Sequence, residues 1–236
     1  MFSDSSGFLN FVEKFNEIFD KISPFLFSNI LWVVLSIPVI TSFPATAAMF
    51  YVTNQVIHEK PAGVRIYFEG FRKFFWVSLL WGLVNIIAGF LLFLNIWFYG
   101  NMTSNLGTYL GYVFRVLVLI WVIVQFYTFP FMIEQENKHL LQAMRNSLVG
   151  MGIRPLHNMG LFLLAISVGL FSTFIFPLGW LFFAGSLIAY LANRGVLNTL
   201  REVKKIQARM ETKKESDNPP DSESVEQGEE THSEPS

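Results

Sequence analysis

The residues best placed to do chemistry are hydroxyls crowded around a helix break that holds two prolines. Thr41, Ser42 and Thr46 sit in the run Pro38-Val39-Ile40-Thr41-Ser42-Phe43-Pro44-Ala45-Thr46. Proline lacks a backbone donor and breaks or kinks a helix. The run therefore predicts a helix that ends at Phe43-Pro44 and a second that starts there, with Pro44 in its first turn. A half-helix N-terminus carries unpaired N–H groups that attract anions, and transporters build substrate sites from such breaks. The same residues also suit a tight hairpin in which small side chains let two helices approach closely. A second group of candidates lies inside apolar runs: Arg115, Asn85 and Gln125. A charge at membrane depth suggests function by default, but Arg115 is only six residues from Tyr109, and its long stem can carry the head out to the interface. Asn85 and Gln125 are the kind of side chain that hydrogen-bonds a neighbouring helix in lipid.

Glu134, Glu136 and His139 form an acid–histidine cluster that could be imagined as metal ligands. Residues three or four apart share a helix face, so Glu134 and Glu136 diverge, and no metal set is assigned. The chain has no Cys, which removes thiol nucleophiles, thiolate metal sites and disulfides. It contains no phosphate-binding glycine loop, no HExxH and no nucleophile elbow. The expectation is a protein with no cofactor and no enzymatic activity.

The elements that must carry these residues follow from composition. Of 236 residues, 52% are hydrophobic and 15% charged, against about 25% charged in an average soluble domain. A bilayer core needs about 20 apolar residues as helix. This predicts an all-α polytopic membrane bundle with five full spans, near 25–41, 74–98, 109–133, 157–176 and 178–193. The last two are split at Pro177-Leu178-Gly179, because one helix over 157–193 would be about 55 Å long. The segment 44–57, at 14 residues, reads as a half-helix or re-entrant segment. Amphipathic stripes over 8–22, 64–74 and 137–149 predict helices that either lie in the interface or pack on the cytoplasmic ends of the bundle, the first making residues 1–24 a separate N-terminal element ahead of a membrane domain at 25–209. The stripes Ser78/Gly82/Asn85/Gly89, Ala165/Gly169/Thr173 and Gly185/Ala189 predict packing faces.

The net charge of −1 conceals two regions. Residues 210–236 hold nine acids and two lysines, and a Glu-, Ser- and Pro-rich stretch with so few apolar residues is expected to be disordered. The remainder carries an excess of Lys and Arg. Basic loops at 58–73, 134–156 and 194–214 alternate with neutral ones, which places those loops and the C-terminus in the cytoplasm by the positive-inside rule. The N-terminus falls outside with five crossings and inside with six. Ala45-Thr46-Ala47 resembles a cleavage site, but the acidic 24-residue lead-in is wrong for a signal peptide. Asn101-Met102-Thr103 is a glycosylation sequon in a loop placed outside.

Three runs carry a family resemblance: Asn29-Ile30-Leu31-Trp32, Pro38-Val39-Ile40-Thr41 and Pro44-Ala45-Thr46-Ala47-Ala48. With the basic, Phe-rich Tyr67-Phe68-Glu69-Gly70-Phe71-Arg72-Lys73-Phe74, the stretch 28–85 resembles the YesL-like family, a domain-of-unknown-function family of prokaryotic multi-pass membrane proteins. The resemblance implies a plasma-membrane protein often encoded near carbohydrate transport and polysaccharide-use systems, with no established activity. Asn29, Pro38, Thr41, Pro44 and Thr46, which lie in these runs, make up the candidate functional turn. The expected function is an accessory or regulatory component linked to carbohydrate uptake. Its partners would be the bilayer and either a transporter subunit or a second copy of itself, with no nucleic acid. The alternative is a small-solute transporter or channel using Thr41–Thr46 and Arg115.

Overall fold

Every regular element among the described residues, 4–102 and 104–217 of a computed structural model, is an α-helix. The order is α1 (Asp4–Leu35), α2 (Val39–Ile57), α3 (Val64–Lys73), α4 (Phe75–Gly100), α5 (Asn105–Glu134), α6 (Leu140–Ile153), α7 (Pro155–Phe174), the single turn α8 (Gly179–Phe182) and α9 (Ala184–Asp217). The chain divides into two compact units, Met1–Thr199 and Leu200–Ser236, so α9 contributes to both. Four helices are long and apolar enough to cross a membrane: Val12–Leu35, Phe75–Gly100, Asn105–Glu134 and Pro155–Phe174.

Burial on α4 runs opposite to that of a helix in a soluble protein. On α4 the buried residues are Ser78 and Gly82, while Leu83, Ile86, Phe90 and Phe93 face outward. Exposed apolar surface on this scale is untenable in water but costs nothing against acyl chains. Small residues inside let helix backbones approach, which is how membrane helices pack without a hydrophobic drive between them.

The break between the first two helices differs from the one expected. It falls at residues 36–38, with Pro38 extended (φ −77°, ψ 117°) ahead of α2. Pro38 also disfavours helix at the residue before it. Pro44 lies inside α2 rather than at its start. The expected 14-residue half-helix is thus a 19-residue helix, about 28 Å long at 1.5 Å per residue. It is the hub of the unit: α1, α3, α4 and α5 all pack on it. Ala45, Ala47 and Ala48 are fully buried and allow that crowding.

Three further corrections concern boundaries. The amphipathic stretch 8–22 is not separate from the first span, since α1 continues through Pro24. Proline there frees the Asp20 carbonyl, and the Ser23 hydroxyl donates to it at 3.4 Å. The expected span at 178–193 is not an independent helix. The turn around Pro177 does form, but α8 follows it, and residues 184–199 are the first half of a 34-residue helix. Their Ala184, Ala189, Ala192 and Val196 are buried in protein, not in lipid. Helix also continues to Asp217, past the expected start of disorder at 210. The rest of the acidic tail, 218–236, lies outside the described residues, as does Thr103 of the sequon.

α2 ends in a Schellman turn. Lys60 N–H donates to the Gln55 carbonyl and Glu59 N–H to that of Val56, with Glu59 left-handed at φ 56°. That conformation suits glycine and costs other residues about 1 kcal/mol or more. Glu59→Gly is therefore expected to raise unfolding stability in detergent by about 1 kcal/mol. A neutral or negative change would contradict the assignment.

Candidate functional site

Asn29 is fully buried on α1, and its amide reaches the start of α9. Its Oδ1 accepts from Ser186 N–H at 3.2 Å, while its Nδ2 donates to the Ser186 hydroxyl and to the carbonyls of Phe25 (2.8 Å) and Phe182 (3.3 Å). The first N–H groups of a helix have no partner within it. Ser186 is the third residue of α9, so Asn29 caps that helix from another element. Gly185 makes the approach possible, because a Cβ there would lie 2.9 Å from Asn29 Oδ1 and 3.1 Å from Met49 Sδ.

The remaining turn residues serve the backbone around them. Thr41 Oγ1 donates to the carbonyls of Leu35 (2.5 Å) and Pro38 (2.8 Å), bridging the break. Ser42 donates to Val39 O, and Thr46 to Ser42 O. Thr46 Oγ1 also accepts from Trp32 Nε1 at 2.9 Å, tying α1 to α2. Thr41 and Thr46 thus do not converge on a common point; each closes a local contact.

Asn85 and Gln125 are brought together. Gln125 Oε1 accepts from Trp81 Nε1 (2.6 Å) and Asn85 Nδ2 (3.2 Å), and Asn85 Oδ1 accepts from Trp121 Nε1 (3.2 Å). This four-residue cluster pins α4 to α5. Arg115 is remote from it. The guanidinium lies 5.4 Å from the Tyr112 ring and next to Gly111, exposed and turned toward the start of α5. That is the snorkelling arrangement.

Three polar links were not anticipated. Asn193 Nδ2 donates to Phe50 O (3.0 Å) and Thr53 Oγ1 (2.9 Å). Asn158 joins Gly150 O and Thr199, and its own carbonyl accepts from Tyr127. Glu134 Oε1 accepts from Asn54 Nδ2 and meets His58 Nε2, both at 2.7 Å. Glu134 is thus committed to α2 rather than to His139 and Glu136, and no group of three or more metal-binding side chains exists among the described residues. The available signal was the asparagines themselves, since an amide in an apolar run must find a partner.

At one end of the first unit, α3 forms an open groove of about 670 Å³ lined by Arg65, Phe68, Glu69, Arg72 and Lys73. Tyr67 anchors the helix by donating to Ala45 O (2.9 Å), and Gly70 rests against the Tyr51 ring. Glu69 accepts from the Tyr51 hydroxyl at 2.9 Å. Lys73 and Lys138 lie 5.8 and 5.4 Å from the Phe74 ring centroid. Burial, and then the Lys73 charge beside it, hold the Lys138 ammonium below its ordinary pKa, with Glu134 acting the other way.

Residues 25–96 match the model of a family described as a protein of unknown function, DUF624. The chain carries a YesL-like domain. No curated protein and no solved structure matches the chain. The matched YesL-like domain ends within α4, yet several of its polar groups take partners from beyond it. Asn29 bonds Ser186, Thr53 accepts from Asn193, Asn54 donates to Glu134, and Trp81 and Asn85 donate to Gln125. The domain is therefore one part of a folding unit, not a unit by itself.

Proposed function

We propose that this protein is a non-enzymatic accessory or regulatory component of a membrane transport system, linked to carbohydrate uptake. It would reside in the plasma membrane with its C-terminus in the cytoplasm. One observation carries the reading: most polar side chains buried within the first unit bond one another or backbone, with Ser36, Gln125 Nε2, Gln135, Ser172 and Asn193 Oδ1 as exceptions, while large apolar faces point outward. Such a chain is suited to being held by lipid and by other membrane helices rather than to passing a solute. The link to carbohydrate uptake rests on the family resemblance alone.

Purification of the full chain in mild detergent is expected to retain a second membrane protein or a second copy. A bare monomer would overturn the proposal. The transporter reading predicts instead that purified protein in liposomes supports solute flux, and that Thr46→Val and Arg115→Leu reduce it.

A further inference from the structure

We propose that the α3 corner binds the phosphate headgroup of an anionic phospholipid. Three observations converge on it. The first is depth. α3 ends one residue before the span Phe75–Gly100 begins. Trp76, 80% exposed, is an amphipathic ring of the kind that settles at headgroup level. Arg72 and Lys73 stand four and three residues before it, about one helical turn, and therefore lie among phosphates.

The second is orientation. Tyr67 and Gly70 face α2, while Val64 and Phe68 are each 43% exposed beside the cations. An apolar strip flanked by Arg and Lys matches a lipid, which offers acyl chain and phosphate together. A soluble anion has no use for the strip.

The third is unbalanced charge. Among the described residues, none of Arg65, Arg72 and Lys73 has a carboxylate within 4.0 Å. Glu69, the acid in the groove, accepts from Tyr51, and Glu134 is taken by Asn54 and His58. Two ammonium groups meanwhile share the Phe74 ring. Such repulsion is relieved by an anion from outside. Arginine supplies paired donors that fit phosphate oxygens.

Native mass spectrometry of the purified full chain, with phosphatidylglycerol or phosphatidylcholine of identical acyl chains, tests this. Wild type is expected to retain phosphatidylglycerol preferentially. The triple variant Arg65→Gln/Arg72→Gln/Lys73→Gln, which keeps Tyr67 and Gly70 against α2 while removing the Lys73 contact with the Tyr51 ring, should lose that preference. Each cation near an anionic surface contributes roughly fivefold, so the fall should exceed about tenfold. Lys204→Gln/Lys205→Gln/Arg209→Gln removes the same charge from α9 and should leave retention as in wild type. Equal loss in both triples, or no lipid preference in wild type, overturns the proposal. Glu69→Gln keeps an acceptor for Tyr51 and should increase retention; no increase counts against the site. Displacement of the lipid by millimolar inorganic phosphate, with the same sensitivity to the α3 triple, would make this a soluble-anion site and overturn the lipid assignment.

Discussion

Asn29→Leu is expected to lower unfolding stability in detergent by about 2 kcal/mol. The estimate combines the cost of a buried N–H left without a partner, about 1–3 kcal/mol, with the smaller values, up to about 1.7 kcal/mol, measured for polar contacts in membrane proteins. The variant removes the acceptor of Ser186 N–H and three donor contacts at once. It also brings a branched side chain against Gly185 and Met49. Ser186→Ala should cost less than half as much. It deletes a hydroxyl but leaves the backbone N–H capped by Asn29. Because the two residues share one interaction, the double variant should be clearly less destabilised than the sum. Denaturant titrations of the four proteins measure this. A loss below about 0.5 kcal/mol for Asn29→Leu would mean that the start of α9 is satisfied by something else.

Gly82→Leu and Gly89→Leu should separate sharply although both lie on the same small-residue stripe of α4. A Cβ at Gly82 would stand 2.6 Å from Phe43 Cγ and 2.7 Å from both Cδ atoms. The Phe43 ring is itself backed by Trp81, with centroids 6.3 Å apart, so it has little room to retreat. Forcing a leucine into this contact should cost about 3 kcal/mol, the upper part of the range for overpacking. At Gly89 nothing lies within 4 Å of the added carbon. Leucine there should be neutral or stabilising by up to about 1 kcal/mol, because glycine is a poor helix former. The pair is read from melting temperatures in one detergent. Equal effects would contradict the packing of α4 on α2.

These two cases show where sequence reading succeeds and where it stops. The stripe Ser78/Gly82/Asn85/Gly89 was legible as a helix face of small and polar residues. Three of its members pack as expected, Ser78 and Gly82 buried and Asn85 bonded to α5. Gly89 faces open space, and no local pattern distinguishes it, because the difference lies in how far α2 extends along α4. The prolines show the same limit. Both Pro38 and Pro44 can interrupt a helix, and a sequence window weighs them alike. The chain breaks at Pro38, where Thr41 bonds back across the gap to Leu35, and it carries Pro44 within α2. Residues 178–193 were apolar enough to suggest a span. Gly185 among them lies instead against Asn29 of α1 and Met49 of α2, and Asn193 bonds Phe50 and Thr53 of α2.

The candidate site was legible residue by residue but not as a constellation. Asn29, Thr46, Asn85 and Gln125 all make the contacts that hold helices together. The choice of partner for each was beyond the sequence, since Ser186 and Asn29 are 157 positions apart. The cationic turn of α3 was visible as an amphipathic basic segment. Its separation into a buried Tyr67 side and a lipid-level Arg72–Lys73 side needed the position of α2.

What the sequence determined by itself is the set of properties local in origin. Long apolar runs must be helical in lipid because their backbone groups can be satisfied only within the segment, and this places α4, α5 and α7 to within a few residues. Which apolar helix meets lipid and which meets protein, which glycine is a contact, and which carboxylate is spent before a ligand arrives were decided by the tertiary structure. Those properties depend on atoms contributed by elements distant in the chain, and a helix has the same internal hydrogen bonds whatever packs against it.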